Sequence, residues 1–137
     1  MEKDTLINEN KLSIRSDKDY SIISSCLLNI LKKIGVGTLK CAQTLFVCRE
    51  LAVNVLVHGK GGDIIFSQIS NANGQEGVRL TFSDKGPGIP DIRKALKGGF
   101  STTGSLGVGL STARDLSDDM HIESSSEGTT ITVWVWK

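Results

Sequence analysis

Residues 45–56, LFVCRELAVNVL, decide the fold because they predict an apolar helix that carries an acid and an amide on one side. A helix that is apolar all round is normally buried. Glu50 and Asn54 lie one turn apart, and together with His58 they fall within about 80° of arc at about 100° per residue. A buried carboxylate needs a partner. The three side chains therefore indicate a ligand site, an internal hydrogen bond or a solvated polar strip.

Glycine and capping residues predict where this helix and the helix before it begin and end. The helix is expected to run from Thr38 to about His58, after a break at Gly35 and Gly37. An earlier helix is expected to begin at Ser16, with Asp19 as its capping-box partner. Its apolar stripe comprises Ile23, Leu27, Ile30, Leu31 and Ile34.

Alternating and turn-bounded segments predict the strands. The expected strands are residues 11–16, 63–70, 77–84, 121–124 and 129–136, with short helices at 90–96 and 110–116. Residues 1–10 are either a loose end or an edge element. The pattern predicts one domain over residues 1–137, an α/β two-layer sandwich whose mostly antiparallel sheet carries its helices on one face.

The last predicted strand has two distinct faces. Ile131, Val133 and Val135 point one way and are expected to pack under the helices. Trp134 and Trp136 then lie on the open face, as ordinary sheet packing or as a partner patch.

Length and charge exclude several classes of protein. The chain has 137 residues, with 16 Lys and Arg against 15 Asp and Glu, and a net charge of +1. Such a balance leaves no electrostatic footprint for nucleic acid or an anionic membrane. We expect no secretory leader, no membrane span and a cytoplasmic protein. The three cysteines form no CxxC pair and are expected to be buried, reduced thiols.

Asp84 ends a predicted strand and is followed by Gly86 and Gly88. A carboxylate there can accept a hydrogen bond from the exocyclic amine of adenine, and glycines let the backbone pass close to a flat ring. The alternative is a plain Asp/Gly/Pro turn. Thr129, at the start of the last strand, could place a hydroxyl on the same adenine side, although threonine is also common in strands.

Residues 98–109 form a loop rich in Gly, Ser and Thr, with Leu110 expected to open the helix behind it. Free backbone amides and the positive end of a helix dipole suit an anion. The order of residues is neither that of a P-loop nor that of a Rossmann fingerprint. The expected phosphate contacts are Ser101, Thr102, Thr103, Gly104, Gly107, Val108, Gly109 and Leu110. Arg114 could reach a terminal phosphate or form a surface salt bridge.

The chemistry of the helix side chains suggests roles for them. The Asn54 amide oxygen suits Mg²⁺, which takes few protein ligands alongside phosphate oxygens and water. Glu50 would lie where it can take a proton from an attacking hydroxyl. His58 is a polar residue that ends the helix, a hydrogen-bond partner of the site or a contact with the helix dipole, and we expect a minor supporting role.

Taken together, these motifs resemble the N, G1 and G2 boxes of the superfamily of gyrase, Hsp90, histidine-kinase and MutL ATPases (GHKL). The resemblance covers about residues 10–137 and implies the Bergerat fold, ATP with Mg²⁺, and a mobile lid between the G1 and G2 boxes. It implies Asn54 as magnesium ligand, Glu50 as base and Asp84 as adenine anchor, with Gly107 and Gly109 on the phosphates.

A free-standing domain of this length is similar to bacterial anti-sigma factors that are also protein serine kinases. Residues 84–94, DKGPGIPDIRK, and residues 99–102, GFST, are especially similar to the switch kinases of the stressosome. That resemblance implies phosphorylation of serine or threonine on a STAS-domain antagonist, followed by binding to a downstream phosphatase, a sigma factor or another effector.

Three alternatives accompany this hypothesis. The first is an ATP-gated anti-sigma binding module with weak or no kinase activity. The second is the detached catalytic part of a histidine kinase, which is disfavoured because the chain has only His58 and His121 and no acceptor helix. The third is an α/β domain that binds no nucleotide.

Overall fold

The strands pair into a single antiparallel sheet, and the helices pack against one of its faces. The computed structural model describes residues 4–89 and 106–137. Their order is β1 (Thr5–Ile14), a 3-10 turn (Asp17–Asp19), α1 (Tyr20–Ile34), α2 (Thr38–Val57), β2 (Gly62–Ser70), β3 (Glu76–Asp84), α3 (Leu106–Asp115), β4 (Asp119–Ser125) and β5 (Gly128–Trp136). The strand order is β1-β2-β3-β5-β4, which confirms the predicted two-layer α/β fold.

Helix α1 is amphipathic, and all five residues of its predicted stripe are buried. It ends at Gly35, whose φ of 90° is the left-handed conformation that glycine adopts without strain. At its other end the Asp19 carboxylate accepts hydrogen bonds from the backbone N–H groups of Arg15, at 2.7 Å, and Ser16, at 3.1 Å. These bonds stabilise the charged form and lower the pKa of Asp19. Ser16 and Asp19 form the predicted capping box, in which each side chain faces the backbone N–H of the other residue.

Helix α2 is not buried all round, and the prediction that it would be is wrong. Val47 and Leu51 are fully buried on the side that faces the sheet, whereas Phe46 is 43% exposed and Val57 is 57% exposed on the other side. The largely apolar sequence of α2 therefore does not predict which of its side chains are buried. The helix ends with the backbone N–H of His58 donating to the Asn54 carbonyl at 2.9 Å.

The first strand is longer than predicted. β1 begins at Thr5 and pairs with β2 from Thr5 opposite Ser70 to Ile14 opposite Gly62. Of the two alternatives for residues 1–10, the edge element is the one observed from Thr5 onward.

The two faces of β5 differ as predicted. Ile131, Val133 and Val135 are buried in the core, whereas Trp134 and Trp136 lie on the other face. The Trp134 indole N–H donates to the Asp4 carboxylate at 3.1 Å. A Cβ on Gly77 would approach Trp136 Cε3 to 2.7 Å, so glycine there makes room for the ring. Both contacts support ordinary sheet packing for the tryptophans.

Helix α3 begins four residues earlier than predicted. It starts at Leu106 rather than at Leu110, so that Gly107 and Gly109 belong to its first turn instead of the preceding loop. The prediction of a loop continuing to residue 109 is therefore wrong. The predicted helix at 90–96 and the loop over residues 98–105 lie outside the described residues.

The cysteines are free thiols, and Cys41 and Cys48 are buried. Burial raises the pKa of Cys48 to about 12, which keeps it a neutral core side chain. Cys26 is only half-buried, so the expectation of buried thiols holds for two of the three. In the part of the chain that is described, no helix is long and apolar enough to cross a membrane.

Leu27→Ala tests the packing of α1 on the sheet. Leu27 is fully buried, so removing its side chain should lower the free energy of unfolding by about 2–5 kcal/mol. Ile22→Ala is the matched control in the same helix, because Ile22 is 66% exposed and its loss should cost less than about 0.5 kcal/mol. Urea denaturation measures both, and equal losses would contradict the packing described.

Candidate nucleotide site

Asn54 is a buried amide without a full set of partners. Its side chain is only 8% exposed, and its amide nitrogen has no hydrogen-bond partner among residues 4–89 and 106–137. A buried polar group that is left unpaired costs stability. Rotation about the terminal side-chain bond exchanges the amide nitrogen and oxygen, so the group can present either atom to a ligand. Asn54 is thus available to something outside the protein.

Glu50 lies against the start of α3. A Cβ placed on Gly109 would be 2.9 Å from Glu50 Oε1, so a glycine at this position lets the backbone of α3 lie alongside the carboxylate. Glu50 itself is half-buried. The predicted acid on α2 and Gly109, one of the predicted phosphate-binding glycines, are therefore neighbours in space.

Asp84 lies against the end of α2. A Cβ on Gly59 would overlap the Cβ and Cγ atoms of Asp84, and one on Gly86 would come within 2.8 Å of the His58 carbonyl oxygen. The Gly86 N–H donates to Asp84 Oδ1 at 2.8 Å and holds the carboxylate in place. The strand-end acid is thus packed directly against the turn that follows Asn54.

His58, like Asn54, has a buried side-chain nitrogen, Nε2, without a hydrogen-bond partner among the described residues. It lies one turn beyond Asn54 and beside the Asp84 turn, which fits the predicted supporting position.

Thr129 completes the strand side of the site. It is the Cα partner of Asp84 across the β3–β5 ladder, and it is buried. Its hydroxyl lies 2.9 Å from the hydroxyl of Ser124, which accepts the Ile89 N–H at 2.7 Å. Gly88, with a φ of 86°, approaches so closely that a Cβ would overlap the Ser125 carbonyl oxygen. Sequence reasoning missed Ser124, which only the β4–β5 register places opposite Thr129.

Among the residues that the structure describes, two clefts border Asp84. One has a volume of about 380 Å³ and is lined by β4 and β5 residues such as Ser124 and Thr129. The other, of about 530 Å³, is lined by Arg15, Lys60 and Lys85 among others. These three cationic residues were not predicted, because they come from separate turns that only the fold brings together.

The remaining predicted residues have mixed outcomes. Gly107 and Val108 lie in the first turn of α3, and Ser101, Thr102, Thr103 and Gly104 fall outside the described residues. Leu110 is fully buried in the core, so only its backbone could face a ligand. Arg114 is exposed and its Nε lies 3.5 Å from Asp115 Oδ1, which is the salt-bridge alternative. No group of three or more potential metal-ligating His, Cys, Asp or Glu residues occurs among the residues described.

Comparison with known proteins places this geometry in a family. Residues 42–137 match the family described as histidine kinase-, DNA gyrase B-, and HSP90-like ATPase. The chain is 36% identical over 126 residues to the serine/threonine-protein kinase RsbT of Bacillus subtilis, covering 90% of this chain and 94% of that protein. It is also 36% identical over 92 residues to the anti-sigma F factor of Bacillus licheniformis, covering 62% of each chain.

Solved structures support the fold. The RsbU and RsbW domains of a Mycobacterium tuberculosis protein align with a TM-score of 0.60 and 20% identity, over 92% of this chain and 32% of that one. The SiaB–SiaC complex of Pseudomonas aeruginosa aligns with a TM-score of 0.56 and 11% identity, over 93% of this chain and 89% of that one. The motifs, the fold and the match along almost the whole of RsbT agree. The chain therefore belongs to the histidine kinase-, DNA gyrase B- and HSP90-like ATPase family and, within it, to the serine/threonine protein kinases.

Proposed function

We propose that this kinase transfers the γ-phosphoryl group of ATP to a serine or threonine of a STAS-domain antagonist protein. It then exchanges that partner for a downstream effector, such as a phosphatase or a sigma factor. Two close approaches to α2 carry the proposal: the first turn of α3 lies beside Glu50, and Asp84 lies against the turn that follows Asn54. The choice of a STAS-domain acceptor rests on the resemblance of residues 84–94 and 99–102 to the switch kinases. The reaction belongs in the cytoplasm, where ATP is available.

Asp84 and Thr129 would form the adenine end of the site. Because the Gly86 N–H engages Asp84 Oδ1, the other carboxylate oxygen is left to accept a hydrogen bond from the exocyclic amine. Thr129 lies beside it in the ladder, with a hydroxyl that can add a second hydrogen bond. Gly86 and Gly88 keep this edge free of side chains, so the backbone can lie against the base.

The start of α3 would bind the phosphates. The first four N–H groups of an α-helix have no partner within the helix, and they point toward the positive end of its dipole. With the helix beginning at Leu106, these are the amides of residues 106–109, which include Gly107, Val108 and Gly109. Ser101, Thr102, Thr103 and Gly104 remain predicted contacts, and Arg114 is a less favoured one because it pairs with Asp115.

Asn54 would hold Mg²⁺ through its amide oxygen. The fit rests on its burial and on its unpaired amide nitrogen, because a flip of the amide puts the oxygen in that position and a buried polar atom without a partner is costly. An oxygen ligand from one side chain suits Mg²⁺, which keeps several waters and takes phosphate oxygens. When bound, the ion neutralises negative charge on the phosphates. His58 would support this position with its unpaired Nε2.

Glu50 would act as the base. The acceptor hydroxyl oxygen forms a bond to the γ-phosphorus, the bond from that phosphorus to the β–γ bridging oxygen breaks, and ADP leaves. The proton of the hydroxyl passes to the Glu50 carboxylate. The closeness of this carboxylate to Gly109, in the helix turn proposed to bind the phosphates, supports the role of base.

A second candidate is an ATP-gated anti-sigma binding module with little transfer activity, and the 36% identity to an anti-sigma F factor favours it. It predicts the same nucleotide site without a need for a base at Glu50. Substitution of that base therefore separates the two functions.

Glu50→Gln should reduce phosphoryl transfer to the acceptor by about 100-fold or more, because the amide cannot take the hydroxyl proton. The affinity for Mg-ATP should stay within about twofold of that of the unmodified kinase, since the shape of the site is retained. Transfer of radiolabelled phosphate to STAS-domain proteins and calorimetric titration of Mg-ATP give the two measurements.

Glu76→Gln is the matched control, because Glu76 begins β3 at the end opposite Asp84. It should leave transfer and binding unchanged. If Glu50→Gln transfers phosphate as fast as the unmodified kinase, Glu50 is not the base. If the unmodified kinase binds Mg-ATP but transfers phosphate to no STAS-domain protein, the result favours the binding module.

Asp84→Asn should weaken Mg-ATP binding by about tenfold or more, because the amine of adenine loses its charged acceptor. Inosine triphosphate, which lacks that amine, supplies the specific test. The unmodified kinase should prefer ATP to inosine triphosphate, and the variant should lose most of this preference in the same titration. A preference that survives the substitution would place the adenine amine elsewhere.

A further inference from the structure

The exposed side of α2 carries an apolar stripe, defined here as Leu39, Phe46, Val53 and Val57. Leu39 is 73% exposed, Phe46 43% and Val57 57%, while Val53 is half-buried. At about 100° per residue these four positions lie within about 40° of arc. Over 18 residue steps the stripe is about 27 Å long.

The stripe is not a general property of this surface. Six large hydrophobic side chains are strongly exposed in the described part of the chain, and three of them belong to the stripe. The other three are scattered over β1 and α1. The exposed side of α1 is mainly polar, with Ser21, Ser25 and Lys32. A surface helix normally turns its polar side to water, so a row of exposed apolar side chains on α2 indicates a contact surface.

The stripe lies on the same side of α2 as Glu50, the proposed base. Glu50 lies between Phe46 and Val53 on the same side of the helix, about 20° from the line of Leu39 and Val57. Its carboxylate lies next to Gly109 on the edge that faces α3. A protein seated on the stripe would therefore hold its own surface within reach of Glu50, where its hydroxyl must be delivered.

Arg49 adds a charge to the flank of the stripe. It is exposed and takes part in none of the ion pairs found among residues 4–89 and 106–137. Arg49 lines a groove of about 320 Å³ with Asp17, Tyr20, Val53 and Leu56, and it forms no ion pair with Asp17. An unpaired guanidinium beside an apolar row favours a partner with a carboxylate next to an apolar patch.

We propose that the α2 stripe is the docking surface for the acceptor protein, an inference that rests on the proposed kinase function. The acceptor places apolar side chains on Leu39, Phe46, Val53 and Val57, and one of its carboxylates pairs with Arg49. Its phosphorylated serine or threonine lies beside that apolar patch, so that docking delivers the hydroxyl to Glu50.

The test uses Phe46→Ser, Val57→Ser and Arg49→Glu in the full chain. Each should raise the KM for the STAS-domain acceptor that the transfer assay identifies by about tenfold, while kcat and the Kd for Mg-ATP stay within about twofold. The pattern follows because the stripe holds the acceptor protein and touches neither the nucleotide nor the reacting atoms. A urea unfolding curve checks each variant, and Val57→Ser and Arg49→Glu carry the test if Phe46→Ser is unfolded.

Leu6→Ser and Lys11→Glu are the matched controls, since both residues are exposed on β1, away from the helical layer. Neither should change the KM for the acceptor. An unchanged KM in all folded stripe variants would overturn the docking proposal and leave the kinase function intact. Stripe variants that dissociate a dimer of the kinase without raising that KM would assign the stripe to a second copy of this chain. Absence of transfer by the unmodified kinase would instead overturn the proposed function, and this proposal with it.

Discussion

The contact between the turn after α2 and the end of β3 is the constraint on which the site depends. Gly59 packs so closely against Asp84 that a single added methyl group would overlap the carboxylate. Gly86 packs against the same turn, since a Cβ on it would come within 2.8 Å of the His58 carbonyl oxygen. Because packed interiors tolerate little change in volume, these glycines set the distance between the amide on α2 and the acid on β3.

A second close approach joins α3 to the same helix. Gly109 lets the α3 backbone lie beside Glu50, and the buried Leu110 that follows it anchors α3 in the core. The free amides of the helix start are thereby held against the acid of α2. Three elements that are distant in the sequence converge through these close glycine contacts, and each carries residues for which we propose one role: base and metal ligand on α2, adenine acceptor on β3, and phosphate contacts on α3.

The side chains of helix α2 lie in different environments. Val47 and Leu51 enter the core, the polar Asn54 is buried as well, and Phe46 and Val57 face solvent. Its composition hides this division, since apolar residues occupy both the buried and the exposed side. In an ordinary surface helix the apolar residues lie on the side that faces the core. The exposed apolar residues of α2 are therefore not explained by folding, whereas binding to another protein would explain them.

Much of the fold follows from local patterns. The α1 stripe, the glycine stops and the alternation in β5 depend on neighbours within one or two turns, and the structure agrees with each of them. The start of α3 was misplaced because its glycines were read as loop residues, whereas packing of Leu110 and Ala113 into the core sustains a helix through them. The length of β1 was underestimated because its outer half is polar and is ordered by pairing with β2.

The sequence by itself determined which residues we propose for the site, because the acid, the amide and the glycines are spaced by helix and turn geometry that depends on local interactions. Tertiary structure alone decided that Ser124 supports Thr129, that Arg15, Lys60 and Lys85 share a cleft, and that one side of α2 is exposed. Those facts depend on strand register and on which face of a helix meets the sheet. Both are set by the packing of residues far apart in the chain, which no local pattern encodes.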